Sequence, residues 1–238
     1  MAIDDMTPET LASAAGATQA AERVTAFLRT VYGWMCAGLA VTAVTAWAVA
    51  SSPSLVQAIA GNRIAFWGIF IAQLGIVIFL SARVQRLAPT TASLLFLLYS
   101  AITGVFFSFI LLVFARESIA TTFLVTAGMF GALAVYGTVT KRDLTGLGQF
   151  VMMGLVGVVL ASIVGIFWQN NMFQFVLSCC GVIVFTGLTA WDAQRLRGMA
   201  LALPEGQTGS YAILGALSLY LDFINLFLFL LRFLGRRR

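Results

Sequence analysis

The chain has 238 residues, 61% of them hydrophobic and only 10% charged, with a net charge of +5. Soluble domains run near 45–50% apolar and about 25% charged, so a water-soluble globule is excluded and lipid is the expected solvent. The absence of histidine removes His-based metal sites, proton relays and catalytic triads. The basic residues cap apolar runs instead of forming the dense basic, aromatic-bearing face that nucleic-acid binding needs.

Residues 1–29 are polar and rich in Ala and Thr, and read as a loose tail with a short amphipathic entry. The first apolar run, residues 30–50, ends at Ser51-Ser52-Pro53. Ala48-Val49-Ala50 before Ser51 resembles a signal-peptidase site, but the run is about twice the length of a signal-peptide core and further spans follow it. It is read as a retained transmembrane helix. Further spans are expected over residues 64–82, between Arg63 and Arg83, and over 91–115, after Arg86 and Pro89. The fourth covers 118–139 and closes at Lys141-Arg142-Asp143, and the fifth covers 148–168. A sixth covers 172–192, and a polar stretch from Arg195 to Ser210 leads to the last run, 211–234, and a basic tail at 236–238. Each run is long enough to cross a bilayer, which takes roughly 20 apolar residues. The expected fold is all-α: one seven-transmembrane-helix bundle with little mass outside the membrane.

With seven spans and the N-terminus inside, inside segments hold eight Arg and Lys residues and outside segments six. If the last run were re-entrant, the tally would be twelve to two. Both versions put the N-terminus on the cytoplasmic side. The last run, at 24 residues, is long enough for a full crossing and short for a helical hairpin, so seven spans are preferred and the re-entrant form stays open.

Small residues at four-residue spacing, Ser100-Gly104-Ser108 and Gly157-Ala161-Gly165, read as close helix contacts. Cys36, Cys179 and Cys180 lie in apolar runs and read as small hydrophobes. Of nine acidic residues, Asp4, Asp5, Glu9, Glu22, Glu117, Asp143 and Glu205 fall in tails or loops and read as solvated charge.

Two acids remain. Asp222 sits in the middle of the last run, where a carboxylate costs about 2.5–3.5 kcal/mol on insertion scales and must face protein or water. Tyr211, Gly215, Ser218, Asp222 and Asn225 follow four-three spacing and form one small or polar stripe, with Ser218 and Asn225 as pore-lining candidates. Asp192 ends the sixth run, on a face with Ser178, Phe185 and Thr189. The last two helices are joined by a short connection and are expected to be antiparallel neighbours, so the two carboxylates can meet. Such a pair is expected to hold one proton between them near neutral pH and to titrate as a unit. Arg83 or Arg86 can reach inward along an apolar stem, or serve as a positive-inside anchor.

Three strings carry a family resemblance: residues 136–144 (YGTVTKRDL), 185–194 (FTGLTAWDAQ) and 217–227 (LSLYLDFINLF), the last followed by Leu230-Leu231-Arg232. Together with the span spacing they resemble the Bax inhibitor-1 family over residues 20–235. The family more often has Tyr where this chain has Trp191. The resemblance implies a seven-helix fold with the last helix central, and a pH-sensitive calcium leak controlled by an aspartate pair. Carried over by motif, the pair is Asp192 and Asp222, and the family's latch arginine falls on Arg83, with Arg86 open. Calcium is then the transported ion, held if anywhere by Asp192 and Asp222; no other metal, cofactor or nucleic acid is implied, and the partner is the lipid bilayer.

Two other functions compete. A membrane-embedded regulator of a membrane protease or of cell-death and stress factors is compatible with the resemblance and needs no transport. An intramembrane aspartyl protease needs a Gly-x-Gly-Asp pattern at its second acid, where this chain has bulky Leu219-Tyr220-Leu221 before Asp222. The chain is therefore expected not to be an enzyme. The small loops and compact domain point to a bacterial inner membrane.

Overall fold

A computed structural model describes residues 8–83, 86–168, 170–204 and 208–236, with side chains in the first helix from residue 18 onward. Asp4, Asp5, Glu205, Arg237 and Arg238, and the side chain of Glu9, lie outside the described residues. The described chain is all helical: α1 (Pro8–Ala50), α2 (Pro53–Ala60), α3 (Arg63–Arg83), α4 (Pro89–Val113), α5 (Arg116–Val139), α6 (Thr145–Phe167), α7 (Asn171–Ala202) and α8 (Thr208–Leu234). Seven of these, all but α2, are long and apolar enough to cross a membrane.

The helix starts follow local chemistry. Pro53 and Pro89 open α2 and α4, where the missing N–H is no loss. The Asn62 side chain accepts from the backbone N–H groups of Ile64 and Ala65 at 3.0 and 3.1 Å. The Asn170 side chain does the same for Met172 and Phe173 at the head of α7. These caps satisfy donors that a helix cannot satisfy itself.

Three boundaries differ from the sequence reading. α1 begins at Pro8, so the stretch expected as a loose tail is helical, and Phe27 and Leu28 within it are buried. Its alanine-rich composition favours helix strongly. α7 runs ten residues past Asp192 to Ala202. α8 is one unbroken helix of 27 residues, about 40 Å at 1.5 Å per residue, which answers the re-entrant alternative in favour of a full-length helix.

α8 is the axis. Of its most apolar window 72% is buried, against 6% for α3. α1, α4, α5 and α7 pack around it, α6 lies outside α7, and α3 lies outside α4. The Ser100-Gly104-Ser108 face makes the expected close contact: a Cβ on Gly104 would lie 2.6 Å from the Thr42 carbonyl of α1. The second small-residue run does not behave as a unit, because Gly157 faces open space while Gly165 meets the Gln174 side chain. The three cysteines are free, with Cys36 and Cys180 exposed on the bundle's flank.

Candidate functional site

The α7–α8 connection sets the depth of both aspartates. Asp192 lies ten residues before the end of α7 and Asp222 fourteen residues after the start of α8, or about 15 and 21 Å along antiparallel axes. The two therefore face each other at similar height. Both are buried, at 7% and 5% exposure, and close enough for their charges to act on one another and on Arg195. Among the described residues no third Cys, Asp or Glu joins them.

The nearest cation is on α7 itself. Arg195 Nη1 lies 3.3 Å from Asp192 Oδ1, one turn away on the same helix. Its guanidinium also sits 5.3 Å over the Trp191 ring. The contact is electrostatic and poorly directed, since Asp192 Oδ1 has no hydrogen-bond partner. Asp222 Oδ2 is also buried without one. Buried oxygens of this kind are uncommon in folded proteins, and two of them on neighbouring carboxylates set this spot apart from the apolar core around it.

A brace holds the Asp192 turn in place. Gln194 accepts from the Leu144 N–H at 2.8 Å and donates to the Arg142 carbonyl at 2.8 Å. Arg197 donates to the Thr138 carbonyl at 2.9 Å. A Cβ on Gly137 would strike the Ala190 backbone, and one on Gly148 would strike the Trp191 ring. The α5–α6 turn is itself pinned by Asp143, which accepts from the Thr145 N–H at 2.9 Å and hydroxyl at 2.6 Å. Those two hydrogen bonds hold the exposed Asp143 carboxyl below its usual range.

The residues at 136–144 and 185–194 are thus one contact surface, and the 217–227 string supplies the facing carboxylate. The family model described as "Inhibitor of apoptosis-promoting Bax1" matches residues 24–238. The chain belongs to the Bax inhibitor-1 family. It is 48% identical over 215 residues to the inner membrane protein YbhL of Escherichia coli K12, covering 89% of this chain and 92% of the relative. An uncharacterized protein of Borreliella burgdorferi is 42% identical over 214 residues, covering 89% of this chain and 92% of its own length. One from Deinococcus radiodurans is 41% identical over 211 residues, covering 88% and 90%.

One expectation drawn from the family does not match this conformation. Arg83 ends α3 and is exposed, as is Arg86, and neither pairs with an acid among the described residues. α3 packs against α4 rather than α8, so its end is kept from the pair by a layer of helix. Ser218 and Asn225 are half-buried beside Asp222, on the flank of α8 that is least covered. Asn225 turns its amide onto the Leu221 carbonyl at 2.8 Å.

Sequence reasoning missed Arg195 and Gln194. Arg195 carried a signal: an arginine three residues after a membrane acid, on a helix that need not stop there. Gln194 carried none, because its partners lie about 50 residues away. A second polar cluster was also missed. On the far side of α8 the Tyr220 hydroxyl lies 2.7 Å from that of Thr42, which donates to the Ser100 carbonyl at 2.9 Å. Phe96 and Tyr99 meet the Tyr220 ring edge-on.

Proposed function

We propose that this protein is a pH-sensitive cation leak, with calcium as the transported ion and the Asp192–Asp222 pair as sensor and gate. The single observation that carries the reading is the pair itself: two buried carboxylates on adjacent antiparallel helices, with the Arg195 guanidinium 3.3 Å from Asp192. With one shared proton the pair carries a single negative charge, which Arg195 balances. Losing that proton leaves two anions against one guanidinium, and the excess favours either separation of the helices or entry of a divalent cation. Gaining a proton removes the anion that Arg195 holds. Both departures break the shared-proton bridge, so flux changes with pH. Carboxylates suit calcium, which takes oxygen ligands, and Ser218 and Asn225 on the thinly covered flank of α8 would line the route.

Arg195 fills the role that the resemblance gave to Arg83, tethered by one helical turn instead of reaching across the bundle. Following its E. coli relative, we place the chain in a bacterial inner membrane with its N-terminus in the cytoplasm. The loop that braces Asp192, with Lys141 and Arg142, then lies on the cytoplasmic side, as positive charge prefers. No enzymatic chemistry is assigned to the pair.

Purified protein in liposomes with an entrapped calcium dye, assayed from about pH 5 to about pH 8, spanning the range where perturbed carboxylates titrate, tests the reading. Asp192→Asn and Asp222→Asn each flatten the pH response, and the double variant adds little because the pair acts as a unit. A double variant with the wild-type pH profile would place the sensor elsewhere. Wild type without any flux would leave a non-transporting regulator as the better reading.

A further inference from the structure

Beside α8, α1 and α5 both pack on the central helix and leave a furrow between them. One cavity of about 520 Å³ lies over Phe223, walled by Leu28 and Met35 of α1 and Phe130 and Ala134 of α5. It shares Leu39, Phe123 and Phe223 with a second of about 270 Å³ that continues to Trp47. From Leu28 to Trp47 the furrow follows 19 residues of α1, about 28 Å at the helical rise, close to the roughly 30 Å of a bilayer's hydrocarbon core. Its floor is fixed, because Phe123 and Phe130 both meet the Phe223 ring at 5.5 Å.

Tyr32 and Thr138 line one end of the furrow, while Thr42, in the other half, spends its hydroxyl on the Ser100 carbonyl. At the Tyr32 end Arg197 crosses from α7 and spends one N–H on the Thr138 carbonyl at 2.9 Å. A guanidinium has five N–H donors, so four remain, and the side chain is exposed. Lys141 and Arg142, also exposed, follow within one turn of chain. An apolar slot of membrane length with a fixed guanidinium at one mouth complements an amphiphile with an anionic head. A lipid without net negative charge would leave the cationic end incompletely balanced.

We propose that the α1–α5 furrow binds one anionic phospholipid, its acyl chain along Phe223 and its phosphate on Arg197. Guanidinium–phosphate contacts are charge-assisted and directional, which separates Arg197 from arginines that merely border the membrane. The proposal does not depend on ion conduction.

The test is lipid retention by native mass spectrometry, from nanodiscs of equal phosphatidylglycerol and phosphatidylethanolamine. Wild type is expected to retain one phosphatidylglycerol per chain. Gly131 in α5 has open space where a Cβ would stand, so Gly131→Phe fills the furrow without touching a charge and abolishes retention. Ala127→Leu serves the same purpose with a smaller side chain if Gly131→Phe lowers thermal stability. Arg197→Gln lowers the preference for phosphatidylglycerol about tenfold, or ~1.4 kcal/mol, while Arg86→Gln, which removes an arginine distant from the furrow, leaves it unchanged. Retention unaffected by both furrow-filling variants, equal retention of the two lipids by wild type, or the same loss in Arg86→Gln as in Arg197→Gln, would each overturn the site.

Discussion

α3 and α8 are near equals by composition, with mean hydropathies of 2.2 and 2.0, and opposites by position, 6% and 72% buried. Hydropathy therefore reports that a helix crosses the membrane and says nothing about whether it meets lipid or protein. The distinguishing feature is where small and polar residues fall. α8 places Gly215, Ala216 and Asp222 against its neighbours, and small residues let membrane helices approach closely. Gly68 and Gly75 of α3 face open space instead. Gln73, midway along α3, ties it to α4 by donating to Thr103 at 3.0 Å.

The sharpest form of this contrast is packing. Leu219 of α8 is fully buried and Ile71 of α3 is 64% exposed. Leu219→Ala is expected to cost about 2–5 kcal/mol, as core truncations do, and Ile71→Ala no more than about 0.5 kcal/mol. Thermal unfolding in one detergent compares them directly. Equal losses would mean that α3 is covered by something other than lipid, such as a second copy of the chain.

Much of the site was legible because lipid makes a buried charge conspicuous. Asp222 amid Leu219, Tyr220, Leu221 and Phe223 has no surface reading, and the central place of its helix was implied by the family resemblance. Asp192 was legible from its position in an apolar run and the short connection that follows. What remained hidden depends on where helices stop and what crosses between them. Arg195 and Arg197 look like the end of a span, yet α7 continues through them because the α5–α6 turn covers that face. The Gln194 brace and the Tyr220–Thr42 contact join residues about 50 and 178 positions apart, and no local pattern encodes such distances.

A middle-sized effect is expected from Tyr220→Phe. The substitution keeps the ring between Phe96 and Tyr99 and removes only the hydroxyl that meets Thr42. A buried hydrogen bond contributes about 0.5–1.5 kcal/mol, so thermal stability falls by that amount. Because the ring faces away from α7, the pH profile of calcium flux keeps its shape. A profile flattened as in Asp222→Asn would join the two polar clusters of α8 into one device and break the reading that only its α7 face senses pH.

The smallest effect is expected at the end of α3. If the pair is balanced by Arg195, then Arg83→Gln removes a solvated charge that touches neither carboxylate, and both stability and the pH profile stay at wild type. Surface charges contribute little of their own. Arg195→Gln is the necessary companion, because it withdraws the cation 3.3 Å from Asp192 and should move the pH response. A shift of equal size in Arg83→Gln would require α3 to leave α4 and bring its last turn to the pair in another state. α3 is the least buried span, but such a motion would have to draw Leu80 out of the core and break the edge-on contacts of Phe66 and Phe70 with Phe106 of α4. The two arginine variants measured together therefore decide whether the least buried helix is a spectator or a moving part.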